Sequence, residues 1–187
     1  MACYRLQCVQ ANCGHIRIKT NLMINAPTSV MRSDKILPRF YFDKNYEVHI
    51  PTRDDWNESM VDLNNETVYF TDGSRINSTG QAGAGIYNQT DCEEYYYQLG
   101  SRCSVFKAEI YAILQCAGIH SLHCRNSASV AICSVRQRLA LTTPKVCSAL
   151  VAETVCALKE LSVYNSIRLM WTPGHCGIPG NEEADGL

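Results

Sequence analysis

Four side chains stand where acid–base or metal chemistry can be done: Asp72, Glu109, His175 and Asp185. Asp72 and Gly73 close the β-branched and aromatic run TVYFT (67–71). An Asp-Gly pair there is either a plain turn or a carboxylate presented at the carboxyl edge of a strand, where α/β proteins place ligands. Glu109 lies one turn before Ala112 and Ile113, so it projects along the apolar stripe of its helix. A buried carboxylate needs a cation, a partner or a proton; the other reading is an edge residue that reaches water. Asp185 falls in the first turn of a last helix, where acids complement the dipole, although Glu182 and Glu183 already serve that end. His175 sits in a loop flanked by glycine and proline. An imidazole near several carboxylates suits proton transfer at neutral pH, and a lone loop histidine is as readily inert.

The elements that must position these groups are legible from Thr67 onward. TVYFT reads as a strand ended by the Asp72-Gly73 turn signal, AGAGIYN (82–88) as a second strand whose glycines imply close backbone approach, and EEYYYQL (93–99) as a third. A helix is predicted over 104–120, with Ala108, Ala112, Ile113 and Cys116 on one face. ASVAICS (128–134) is a short apolar strand of the kind buried on both faces. A weak helix over 136–142 precedes a strong one starting near Pro144, striped by Val146, Leu150, Val151, Val155, Leu158 and Leu161. SIRLMWT (166–172) is the fifth strand, and the loop PGHCGIPG (173–180) leads into a helix start at Asn181, Glu182 and Glu183. The order β-β-β-α-β-α-α-β-α predicts an α/β fold, a five-stranded mixed sheet flanked by helices. Residues 1–66 carry charges, prolines and paired asparagines without a sustained period, and read as a connecting segment, partly irregular, ahead of a domain over 67–187.

Taken in order, TDGS (71–74) with GAGIY (83–87), SVFKAEIYAI (104–113) and WTPGHCGIPGNEEAD (171–185) resemble the successive motifs of type 1 ribonuclease H. The wording is most similar to the copies at the ends of non-LTR retrotransposon polyproteins, and it covers about residues 67–187. HIPTRDDW (49–56) is similar to the segment that links the reverse transcriptase to this domain in such elements. The resemblance implies the ribonuclease H-like fold and endonucleolytic hydrolysis of the RNA strand of an RNA–DNA hybrid, with two Mg2+ ions or Mn2+ in their place. Hard cations want oxygen ligands, and a pair of them clamps the attacking water and the leaving oxygen. By position, Asp72, Glu109 and Asp185 would hold metal, His175 would assist proton transfer, and Gly73 and Ser74 would lie against the substrate. The RNA strand would be told apart through its 2′-hydroxyls across the shallow minor groove.

The chain departs from the family at one ligand. A further carboxylate is expected directly after Ser134, within a Ser-Asp-Ser-Gln-Ala-Ala pattern, and the sequence has Val135, Arg136, Gln137 and Arg138. Compensating frameshifts across that stretch would produce this change. Valine ligates nothing, and the two arginines bring positive charge toward a cation site, so weak or absent cleavage is expected. The stretch to Pro144 is also shorter than the pattern. With the sequence ending at Leu187, the last helix is expected to be truncated, with Asp185 loosely held. Lys107 stands where a neutral polar residue is common, which would alter contacts to the hybrid. Three readings stay open: an active hybrid nuclease, a binding module without turnover, and a decayed remnant. An actin-like ATPase is excluded by size, because it needs a second such domain.

Composition sets the outer bounds. The chain has 187 residues, 46% hydrophobic and 19% charged, enough for one domain plus an extension. A formal net charge of −1 gives no overall attraction for a polyanion, so nucleic-acid binding must come from local geometry. Eleven cysteines, an odd number without a CxxC pair, read as reduced thiols used as small apolar residues. Cys13 with His15, and His120 with His123 and Cys124, fit no common zinc spacing. No secretion signal or stretch of about 20 apolar residues occurs, so no membrane partner and an intracellular location are expected.

Overall fold

The computed structural model describes residues 34–57, 61–122, 128–135 and 138–187. Its centre is β3 (Glu66–Arg75), flanked by β4 (Ala82–Asn88) antiparallel and by β6 (Ser129–Ser134) parallel. β5 (Glu93–Gly100) extends the antiparallel side, and β8 (Ser166–Trp171) the parallel side. β2 (Glu47–His49) pairs parallel to β8 at the edge, giving the order β2-β8-β6-β3-β4-β5. The mixed α/β architecture follows the sequence expectation, with six strands rather than five. The extra strand comes from the segment before Thr67, where residues 34–57 also supply β1 (Lys35–Phe40) and the short helix α1 (Arg53–Asn57). The remainder of that segment, 1–33 and 58–60, lies outside the described residues.

Both faces of the sheet are covered, which explains the continuous apolar runs in β3 and β6. On one face α2 (Val105–Leu122) and α4 (Ala149–Leu161) pack over Tyr69, Ile86, Val130, Ile132 and Ile167. On the other, α5 (Pro179–Asp185) brings Ala184 onto Val68, Phe70, Ala131, Cys133 and Met170. Period-two alternation puts Tyr69 on the first face and Val68 and Phe70 on the second.

Two sequence expectations are corrected. Asp72-Gly73 is not a turn: β3 runs on to Arg75, with Asp72 opposite Gly85 and Gly73 opposite Ala84. The glycine is required by close packing, since a Cβ on Gly73 would lie 2.6 Å from Glu109 Cγ. The second correction concerns the helix predicted from Pro144. Residues Lys145–Ser148 form β7 instead, antiparallel to β1, and α4 begins only at Ala149. Its first amides are satisfied from two places. Ser148 Oγ accepts from Val151 N at 3.1 Å, while Asp34 accepts from Leu150 N through Oδ1 at 2.9 Å and from Ala149 N through its carbonyl at 2.8 Å. Asp34 lies more than a hundred residues upstream, beyond the reach of any local pattern.

The upstream segment is therefore a strap. After β1, Tyr41 N donates to Pro144 O at 2.9 Å, Lys44 Nζ donates to Leu141 O and Thr143 O, and the buried Tyr46 donates its hydroxyl to Leu141 O at 2.8 Å. These bonds hold the end of α3 (Arg138–Thr142), the weak helix foreseen over 136–142. Within HIPTRDDW, Thr52 and Asp55 cap each other reciprocally, and Trp56 Nε1 donates to Trp171 O at 3.0 Å. Among the described residues the cysteines are free, with Cys103, Cys116 and Cys133 buried as apolar filler. Cys13, His15, His123 and Cys124 lie outside the described residues; His120 is buried, its Nδ1 3.3 Å from Tyr69 Oη. No helix among the described residues is long and apolar enough to cross a membrane.

Candidate functional site

β6 and β8 end side by side against β3, because Thr71 pairs with Ser134 and Ser134 with Trp171, while β3 runs on to Arg75. Asp72, Val135 and Thr172, the next residue along each, therefore lie where the parallel half of the sheet ends. Ligands in α/β folds bind beyond this end.

Glu109 enters from α2. It is 1% exposed, its stem lies against Gly73, and its Oε2 accepts from Ser134 Oγ at 3.2 Å. The carboxylate thus points into the fold, as its place on the apolar stripe implied, and the bond from Ser134 offsets part of its desolvation. Asp72 is half-buried, on the strand face that α5 covers. Gly73 is buried beneath α2, and Ser74 is exposed. Ser134 was not singled out from the sequence, because a strand-end serine looks like any other until its partner is known.

Asp185 arrives on α5, whose seven residues would not persist alone. Packing rather than length holds it. Gly180 lies directly on the ring of Phe70, and Ala184 O lies where a Cβ on Gly85 would be, 2.2 Å from it. The helix is as short as expected, and Asp185 is its last residue. Its Oδ2 is 3.2 Å from His175 Nδ1, and His175 takes a left-handed backbone turn with φ 51°. The loop before it is closed by Glu182 Oε1, which accepts from Gly177 N at 3.1 Å. Glu182 and Asp185 are three residues apart, one face of a helix, a spacing visible in the sequence, where Glu182 was assigned to the dipole alone.

Val135 closes the arrangement. Its side chain packs against Gly174, where a Cβ would stand 3.3 Å from Val135 Cγ1. An aliphatic group thus lies against the loop that carries His175. Arg136 and the side chain of Arg138 lie outside the described residues. Among the described residues, one group of three or more side chains brings metal-ligating atoms within 4.8 Å of one another: His175, Glu182 and Asp185. Asp72 and Glu109 do not belong to it.

No curated protein matches the chain significantly. The family model for RNase H matches residues 64–187, which spans β3 through α5 and every candidate residue named above. With the order of elements and the sheet pairing in agreement, this chain belongs to the RNase H family.

Proposed function

We propose that this chain engages RNA–DNA hybrids as a retroelement-type RNase H domain whose hydrolytic turnover is reduced by the loss of one ligand at Val135. The RNase H match supports nucleic-acid recognition and a hydrolase ancestry, and the family works with divalent metals. The observation that carries the reading is the position of Val135 at the sheet edge, next along β6 from the Ser134 that holds Glu109. Two magnesium ions need a nearly complete set of oxygen ligands, and an aliphatic side chain packed on Gly174 offers none. The residues present do not complete a two-ion site.

What the chain's own groups can do is limited and specific. Glu109 is held in one orientation by Ser134, and the His175–Asp185 pair can take up and pass a proton at Nδ1. The fusion to a reverse transcriptase, implied by HIPTRDDW, is proposed with it. Trp56, within that segment, is anchored to the Trp171 carbonyl beside the same sheet edge.

The test is cleavage of an end-labelled RNA–DNA hybrid in Mg2+ and then Mn2+, comparing the protein with Val135→Asp combined with Arg136→Ser and Arg138→Ala. Restoring one charge-stabilising ligand is expected to raise the rate by roughly a hundredfold or more. Equal rates in the two proteins would sink the assignment of Val135. Both should retain salt-dependent binding to the hybrid.

A further inference from the structure

The strap carries an apolar surface that the candidate site does not use. Leu37, Phe40 and Phe42 are 88%, 58% and 78% exposed. They are not core residues left at a rim. Ile36, Tyr41 and Val146 turn to the core, while Phe40 and Phe42, on either side of Tyr41, share the opposite face of the strand. Their rings stack nearly parallel, with centroids 6.0 Å apart and planes 9° apart.

The charges around the rings are mainly positive. Lys145 on β7 is the cross-strand partner of Phe40, and Lys35 and Arg39 lie on β1 itself; all three are exposed. The acidic neighbours are Asp43, beside Phe42, and Glu153, which lines with Arg39 the cavity between β1 and α4. Asp34, at the start of the strand, is taken up in capping α4. We propose that Phe40 and Phe42, flanked by Lys35, Arg39 and Lys145, form a platform on which unpaired nucleotides of a single-stranded nucleic acid stack. This goes beyond the hybrid recognition proposed above and uses none of its residues.

Magnitudes favour this occupant over a protein. Three side chains of this size and exposure present roughly 400 Å², about half of the ~800 Å² that a stable protein interface buries on each partner. Addition of a further strand is disfavoured as well, because Pro38 interrupts β1 with a residue that has no N–H to donate. A nucleotide asks for less: one exposed aromatic face for the base and a cation near the phosphate. Bases within a duplex are already covered on both faces by their neighbours, so such a platform selects single strands.

Fluorescence anisotropy of the full chain with a labelled oligothymidylate of about a dozen nucleotides, and separately with a blunt labelled RNA–DNA hybrid, tests this. Phe40→Ala combined with Phe42→Ala is expected to weaken the single strand by about tenfold or more and the blunt hybrid by less than about twofold. Lys145→Glu should weaken the single strand by about threefold or more at low salt, and by less as salt rises. Phe40→Leu with Phe42→Leu keeps the patch apolar but removes the aromatic faces, so it should lose the single strand too, whereas Phe40→Tyr with Phe42→Tyr should keep it. No measurable binding of the single strand by the unaltered chain, the outcome for a patch that meets a protein, would overturn the proposal. So would undiminished binding in the alanine pair or in the leucine pair. The hybrid arm reads the proposed function by itself, so the two can fail separately.

Discussion

At the scale of single residues, the site rests on places where a side chain is missing. Gly73 lets Glu109 reach the centre of the sheet, and Gly85, opposite Asp72 across the β3–β4 pair, lets α5 settle with Ala184 O on the strand. The two glycines admit helices from opposite faces of the sheet, α2 at Gly73 on β3 and α5 at Gly85 on β4. Gly85→Ala would put a Cβ 2.2 Å from a backbone oxygen, so α5 would have to move. Gly83→Ala, two residues away, would meet nothing closer than 3.6 Å. Urea unfolding should therefore show a loss of roughly 1–3 kcal/mol for Gly85→Ala and little change for Gly83→Ala. Equal losses would mean that strand propensity, not the approach of α5, sets the cost. The glycine-rich run 82–88 was legible as a place of close approach. Asp72-Gly73 was misread as a turn because the same dipeptide serves both ends, and only the position of Glu109 tells them apart.

At the scale of elements, the parts that read well from sequence are those whose signal is local. β4 spans 82–88 as expected, and α2, β5, β6 and β8 differ from expectation by only one or two residues at their ends. Their apolar periodicity is set by the same sheet face along their whole length. The start of α4 failed because its decisive partners are distant. Pro144 and the apolar stripe both favour a helix, but pairing with β1 holds 145–148 extended until Ser148 and Asp34 cap the first turn. The cap is shared between two side chains, and Asp34 also accepts from Ser148 Oγ. Asp34→Ala and Ser148→Ala should each cost about 1–2 kcal/mol in thermal or chemical unfolding. Because both remove parts of one network, the double variant should cost less than the sum of the two. Strict additivity would show that the two groups cap independently.

At the scale of the molecule, the folding unit begins well before the family match at residue 64. β2 closes the sheet beside β8, Tyr46 is buried against the core that includes Leu141 and Val146, and the strap satisfies the carbonyls of Leu141, Thr143 and Pro144. Those carbonyls belong to the shortened stretch that follows Val135, so the strap steadies the region where the family pattern is broken. None of this was legible in residues 34–57, which have no period because each short element is shaped by a partner elsewhere. A chain beginning at residue 64 would keep every candidate ligand yet lose the edge strand, the Tyr46 packing and the Trp56 anchor to Trp171. Burial of one large aromatic and several net hydrogen bonds amounts to at least ~3 kcal/mol, a large share of a typical domain's stability. Guanidinium unfolding should show a chain from residue 34 to be more stable than one from residue 64 by that amount, with a larger m-value for the longer chain. If the two unfold at the same midpoint, the strap is an ornament on an independently stable domain, and the boundary belongs where the family match places it.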